Sequence, residues 1–523
     1  MKMVLSTILA ALMSTAAPAA FAADLVIGAR NEVQMDPHFT WTDSNIAYYD
    51  HIYGALVDMG IDQQIKPSIA VSWTTLTPTK WRFEIQPKAV FSNGKPVTSA
   101  DVVASFERVR TIKASSPFTG AIPTVVSVTA DGDKAVIVET STPTPLLLQN
   151  LVAIQIVPAE DLTATAEDFA SGKAAIGAGP YKIESYTASN SLTLVRNEHY
   201  WGEPAKWDKV TFRFLPNDAA RVAALLAGDV DLIDFVPPNA VAKLAGSAGI
   251  EVERAPSGRV AALSVDAGRN PSPQVTDMAG KPLAKNPFAD VRVRKALSLA
   301  VNRDAMVSRI MNGYAFPAGQ LAPATLPGYN PAIPVPAFDL VQAKQLLNDA
   351  GYGDGFAFTL SCTNDRYVND GLICQALGQM FTQLGLKVAV ETMPASVFFA
   401  RANIKKDGGV DFSAMLTAWA DSVGEAQVLQ AVVHTYDPVS GLGAYNRSYY
   451  SNPPLDKLIE ATVSEMDAAT RHTEMANAMA VAMDDVALIP LHYQSVITAT
   501  RGKIGYTPWT TEMTMADSAF VKN

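Results

Sequence analysis

The chain has 523 residues, 41 of them Lys or Arg and 51 Asp or Glu, for a formal net charge of −10. That length corresponds to roughly two to four domains rather than one core, and the acidic balance argues against nucleic acid and an anionic membrane surface as partners. Apolar residues make up 48%, yet beyond the first residues no run approaches the ~20 consecutive apolar positions of a membrane-spanning helix.

At the start, Lys2 precedes the apolar run Val4 to Ala20, and Ala20, Phe21 and Ala22 supply a small-residue cleavage pattern. This reads as a secretory signal peptide over residues 1–22, cut after Ala22, with no Cys nearby to carry a lipid. Losing its one Lys leaves 40 basic against 51 acidic residues, a mature charge of about −11. The mature protein is therefore expected to be exported and soluble.

"ADLVIGAR" reads as a buried strand. "WRFEIQPKAVFSNGKPVTSADVVASFERVR" reads as a strand, a turn at Asn93-Gly94, and a helix capped by Ser99 with Asp101 in its first turn. "DKAVIVETSTPTPLLLQNLV" adds an alternating strand and a proline-interrupted connection. "GAGPY" at Gly177 to Tyr181 contains Pro and follows a polar loop, so it fits a tight turn launching a strand and not a phosphate cradle.

From Asp290 to Ile310, Val293, Leu297, Ala300, Val301 and Ile310 recur at helical spacing behind a cap at Asp290, predicting one amphipathic helix bent near Asn302. The proline-rich stretch from Tyr314 to Phe338 forbids regular helix or central strand. "DLVQAKQLLNDAGYG" predicts a helix from Asp339 to a stop at Gly351. "NDGLICQALGQMFTQLG" predicts another, ending at Gly385 and running into the strand "LKVAVETM". Strands and helices alternate, so the fold class is α/β. Cys362 and Cys374, the only cysteines, are expected to be bonded in an oxidising compartment, the alternative being two buried thiols.

Recognisable catalytic chemistry is missing. The six histidines His38, His51, His199, His434, His472 and His492 are scattered, without an HExxH pair or other metal spacing; only His434 is kept as a possible ligand contact. There is no Gly-x-Ser-x-Gly elbow, no metal site and no cofactor pattern.

Six stretches carry a family signature in order: "NEVQMDPH", "VFSNGKPVTSADVVASFERV", "GAGPYKIESYTASNSLTLVRNEHYWG", "FADVRVRKALSLAVNRDAMV", "AKQLLNDAGY" and "VALIPLHYQ". They resemble the family 5 extracellular solute-binding proteins, the peptide and nickel class serving ATP-driven importers, across essentially the whole mature chain. The resemblance implies a periplasmic binding protein type II fold, with two ligand-binding lobes joined by hinge strands and an extra lobe inserted in the first. Transferred by motif, lobe I is Ala23 to Ser44, Ala175 to Ser264 and Leu488 to Asn523; the inserted lobe II is Asn45 to Ala174; lobe III is Val265 to Ala487. It also implies a periplasmic monomer without a cofactor that closes on a small polar solute and hands it to an inner-membrane ABC permease.

The resemblance places Asn31, Glu32 and Gln34 on the cleft side of lobe I, with Asp36, Pro37 and His38 building the turn beneath. On lobe III, Asn364, Arg366 and Tyr367 follow a strand, and Arg366 offers a planar fork suited to a carboxylate. Trp419, Asp421, Ser422 and Glu425 follow a second strand, and Asn446 and Arg447 sit at the rim. In peptide-binding relatives an aspartate three residues after the Trp holds the ligand amine; here that position is Ser422 and the aspartate is Asp421. The expected solute is a short peptide or modified amino acid derivative, or alternatively an opine- or oligosaccharide-like compound. A secreted hydrolase is the rival from another class, and it would need an activated nucleophile or metal.

Overall fold

A computed structural model describes residues 24–40, 42–113, 122, 124–402, 410–421, 425 and 427–522. The expected signal peptide and Ser422 lie outside them. Among the described residues no helix is long and apolar enough to cross a membrane.

A 12-stranded sheet runs through the molecule. On one side lie Tyr181–Thr187, Ser191–Arg196, Lys209–Phe214, Asp24–Ala29 and Leu232–Ile233. On the other lie Ala414–Ala420, Ala357–Thr363, Lys387–Met393 and Val275–Thr276. Two long antiparallel strands at its centre, Ile250–Val265 and Ile489–Arg501, join the two sides. One half of this ribbon pairs with Leu232–Ile233 and the other with Ala414–Ala420. Between the halves the register breaks: Pro256 faces Ser495, whereas the next pair is Val260 with Tyr493.

The residues looped out at that break are anchored to the C-terminal segment. Ser257 donates its hydroxyl to Glu512 at 2.6 Å, Gly258 N–H donates to Thr510 O at 3.0 Å, and Arg259 Nη2 donates to Glu512 Oε2 at 2.8 Å. A bulge bends a strand pair locally, so the ribbon changes course where it passes from one side to the other.

A separate four-stranded sheet comprises Ala70–Thr77, Lys80–Ile85, Val125–Ala130 and Ala135–Thr140. Lys80–Ile85 alternates as expected of a half-buried strand, burying Trp81, Phe83 and Ile85. Its core is continuous with that of Asp24–Ala29 and Lys209–Phe214. The helix Asp43–Ile52 spans the expected lobe boundary at Asn45 and sets Tyr48 and His51 edge-on to Phe212, at 4.9 and 5.4 Å. Gly177 and Gly179 press against the same backbone: a Cβ on Gly177 would stand 2.0 Å from Ile52 O.

The helix caps lie at or within one residue of their expected positions. Asp290 caps Val291–Ala300, and Asp339 caps Leu340–Asp349, which ends before Gly351 at φ +86°. The expected cap at Ser99 moves to Thr98, whose N–H and hydroxyl both donate to Asp101 Oδ2 at 2.8 Å. The single helix expected over Asp290 to Ile310 is two: Val301 is extended, and Asn302 caps a new helical stretch from Arg303.

Cys362 and Cys374 are bonded, joining Ala357–Thr363 to the helix Asp370–Thr382 across a 12-residue separation. Closing a loop of this size removes about 3 kcal/mol of unfolded-state entropy. Cys374→Ser should lower the urea-unfolding free energy by about that amount, and the oxidised wild type should show no reactive thiol when unfolded.

Candidate functional site

The first wall begins where Asp24–Ala29 ends. Arg30 N–H donates to Asp234 Oδ1 at 2.8 Å, its guanidinium lies 5.5 Å from the Phe235 ring, and Nη2 donates to Asp365 O at 3.4 Å. That last contact spans the gap between the two sides of the sheet. Burial raises the Asp234 carboxyl to about 6 even with Arg221 opposing it.

The loop after Arg30 is held by its backbone. Tyr48 and Tyr49 hydroxyls donate to Asn31 O and Gln34 O, each at 2.6 Å, and Gln34 N–H donates to Asn45 Oδ1 at 2.9 Å. The Asn31 and Gln34 side chains are half-buried. Glu32 turns aside, accepting Tyr186 OH at 2.8 Å and Ser189 N–H at 2.7 Å.

Beneath, Arg108 from the helix Ser99–Thr111 donates both terminal nitrogens to Asp36 at 2.7 Å and to the carbonyl of Ala164 at 2.9 Å. His38 Nε2 meets Gln155 O at 2.8 Å. Burial, then the Arg108 charge, lowers the His38 pKa from 6.5 to about 4. The unfolded chain takes this proton near 6.5, so the contribution to stability is intact above that pH and is lost as pH falls toward 4. A histidine-resolved NMR titration should find His38 neutral at about pH 5, where an ordinary histidine is charged.

The facing wall is the turn between Ala357–Thr363 and Asp370–Thr382. Asp370 Oδ2 accepts Thr363 OH at 2.6 Å and the N–H groups of Arg366 and Tyr367 at 3.1 Å each. This fixes the loop and leaves Asn364 and Arg366 exposed. The Arg366 guanidinium lies 5.4 Å from the Tyr367 ring, and the Tyr367 hydroxyl donates to Ala418 O at 3.4 Å. Arg366 also lies within the field of Glu512; burial pushes the Glu512 carboxyl up, but Arg259, Ser257 and Arg366 together bring it below its usual range.

Ala414–Ala420 delivers Trp419, whose indole N–H donates to Asp421 Oδ1 at 3.0 Å and whose ring lies 5.3 Å from Tyr445. The Arg447 guanidinium lies 5.5 Å from the Phe399 ring and 5.6 Å from the Tyr445 ring, and burial lowers its pKa. Trp419, Tyr445 and Arg447 line one small recess together with Thr417.

A larger cavity of about 480 Å³ opens between Arg30, Phe235 and Pro237 on one side and Asn364, Tyr367 and Gln375 on the other. Ligand pockets run from about 300 to 1,000 Å³, so it has room for a small solute.

Besides Glu32, two expected site residues are committed elsewhere. Glu425 forms a buried pair with Arg471, at 3.0 and 2.8 Å, and lies 3.4 Å from His472. Asn446 donates to His434 O at 2.9 Å and Tyr450 O at 2.8 Å, bracing its loop from within. His434 is likewise turned to Glu460 at 3.3 Å. Arg30, Phe399, Tyr445 and Glu512 were missed by sequence reasoning. For Arg30 a signal existed: a cation directly at the end of a buried strand, beside the loop already singled out. Among the described residues no group of His, Cys, Asp and Glu is arranged to hold a metal ion.

The model of the bacterial extracellular solute-binding proteins, family 5 middle, matches residues 64–436. The periplasmic murein peptide-binding protein MppA of Escherichia coli (strain K12) is 23% identical over 468 residues, 84% of this chain and 82% of that one. In fold, the chain is similar to the periplasmic binding protein DppA from Helicobacter pylori in complex with the peptide STSA. The TM-score is 0.78 at 21% identity, over 96% of this chain and 98% of that one. It is also similar to AgaA from A. tumefacien R10 in complex with agropinic acid, with TM-score 0.77 at 23% identity over 96% and 99% of the two chains. These likenesses fit the α/β architecture, two halves of one sheet joined by a two-stranded ribbon, as the type II periplasmic binding fold. With the family model matching well over half of its length, the chain belongs to the family 5 bacterial extracellular solute-binding proteins.

Proposed function

We propose that this protein captures a short peptide or a modified amino acid derivative in the periplasm and delivers it to the permease of an ABC transporter. It acts as a monomer after its leader is cut behind Ala22, and it returns the solute unchanged. The observation that carries this reading is the cavity of about 480 Å³ at the crossing between the two halves of the sheet. The connecting ribbon, with its register break at Ser257–Arg259, is where hinge closure around a ligand would bend. The peptide bound by DppA and the agropinic acid bound by AgaA support this solute class.

The ligand contacts belong to Arg30, Asn31, Gln34, Asn364, Arg366, Tyr367, Trp419 and Arg447, with Asp421 behind Trp419. A solute that binds should raise the melting temperature by mass action and be recovered intact; recovery of a cleavage product would favour the hydrolase. Trp419→Ala should weaken binding in calorimetry by about 1–3 kcal/mol, as for aromatic anchors at binding hot spots, and unchanged affinity would remove Trp419 from the site.

A further inference from the structure

The central strand Ile489–Arg501 carries a polar side chain that the protein itself does not use. Gln494 is 6% exposed, and among the described residues its amide nitrogen has no hydrogen-bond partner. Its backbone stands at the register break of the ribbon, between Ser495, which faces Pro256, and Tyr493, which faces Val260. The Ser495 hydroxyl at the next position is buried without a partner as well. A buried donor left unmade is costly to the folded state, so a group in this condition calls for an acceptor.

An acceptor can reach it from the cleft. Gln494 and Ser495 line a recess of about 20 Å³ that shares Phe235 and Val368 with the cavity of about 480 Å³. Phe235 follows Leu232–Ile233 on one side of the sheet, whereas Met311, also at the recess, packs in the core beneath Ala357–Thr363 on the other. One oxygen-sized group needs about 10–15 Å³, so the recess seats a single such atom and excludes a side chain. Glu512 lines it too, and Arg259, Ser257 and Arg366 hold that carboxyl ionised, so a ligand carboxylate would be repelled. An ammonium brings only further donors. The group that fits is a neutral acceptor, and the amide carbonyl oxygen is the one that every short peptide carries.

Resting on the binding function above, we propose that Gln494 is a specificity-determining residue whose side-chain N–H donates to an amide carbonyl oxygen of the bound solute. The contact is made by the connecting ribbon and not by either wall. Because the recess takes walls from both halves, its seat for the oxygen depends on how closely they approach. A solute without that carbonyl leaves the donor unmade and is rejected for that reason, as in any site built to hydrogen-bond one group of its ligand.

The test presents the purified full chain with a mixture of dipeptides, identifies the best-retained one by native mass spectrometry, and measures its affinity by calorimetry on the wild type and on Gln494→Met. Methionine nearly matches glutamine in length and has no donor. Since no protein group accepts from the Gln494 amide nitrogen, the ligand-free melting temperature should be unchanged or higher. Affinity should fall about fivefold to tenfold, the size of one hydrogen bond between neutral groups. Replacing the dipeptide's amide by a trans-alkene, which keeps the shape and removes the oxygen, should cost the wild type about fivefold to tenfold more than it costs the variant. A crystal structure of the wild-type complex should place the carbonyl oxygen within hydrogen-bond distance of Gln494 Nε2, and this reading needs no variant to fold. A lower melting temperature with unchanged affinity for Gln494→Met, an equal alkene penalty in both proteins, or a water in place of the carbonyl oxygen on Gln494 overturns the inference and leaves the binding function standing. If no dipeptide is retained, the short-peptide reading of the function falls together with it.

Discussion

Arg108→Ala is expected to destabilise the fold by about 3–5 kcal/mol, the range for removing one partner of a buried ion pair. The Arg108 and Asp36 side chains are 2% and 1% exposed, and the pair is bidentate. Without the guanidinium, Asp36 keeps the backbone N–H of His38 at 3.0 Å but has no opposite charge, while Ala164 O and the Phe169 face, 4.7 Å from the guanidinium carbon, lose their contact. Urea unfolding measures the deficit, and an Arg108→Met variant that kept full stability would show that packing, not charge, holds this joint. Replacing both partners with apolar residues should recover much of the loss, because no charge is then left buried.

The consequence extends to binding. Asp36 sits at the base of the loop that carries Asn31 and Gln34, and Arg108 belongs to the helix of the inserted four-stranded unit. The joint ties the four-stranded unit to the loop proposed to face the ligand, so that loop is fixed before a solute arrives. Preorganisation of this kind reduces the ordering cost of binding.

What the sequence revealed and what it hid divide along contact range. Asp290 and Asp339 announce helix starts because an N-cap needs only its own next residues. The Thr98 shift stays within that logic: Thr98 and Ser99 are both competent caps, and Asp101, three positions beyond Thr98, decides between them. The bend expected near Asn302 is a full break at Val301: apolar residues at helical spacing persist across it, while the Arg303 guanidinium, reaching Pro490 O at 2.9 Å and Ser298 O at 3.0 Å, fixes the second segment from outside. Candidate ligand residues fared worst where a carboxylate or amide in a loop could serve either a solute or the protein. Asn446 and Glu425 look alike in sequence to cleft residues; their partners His434 O and Arg471 lie 12 and 46 positions away and leave no local trace. Tyr445 and Phe399 around Arg447 are invisible for the same reason.

Glu425 offers the sharpest separation between those two uses of a polar residue. Glu425→Ala should lose about 3–5 kcal/mol of stability, because among the described residues it leaves the Arg471 guanidinium the carbonyl Glu465 O at 2.8 Å and no carboxylate. The Glu425 and Arg471 side chains are each 6% exposed, so water cannot readily take over the lost charge. Solute affinity, measured by calorimetry on the folded fraction at a temperature well below the melting point, should stay within experimental error. Trp419→Ala should give the reverse, weakened binding with little change in unfolding free energy, since Trp419 is only half-buried at the cleft wall. Arg471→Met in the Glu425→Ala background should restore part of the stability, because the pair would then be absent rather than broken. If Glu425→Ala instead cost affinity and left stability intact, the ion pair would be incidental and the carboxylate would return to the ligand.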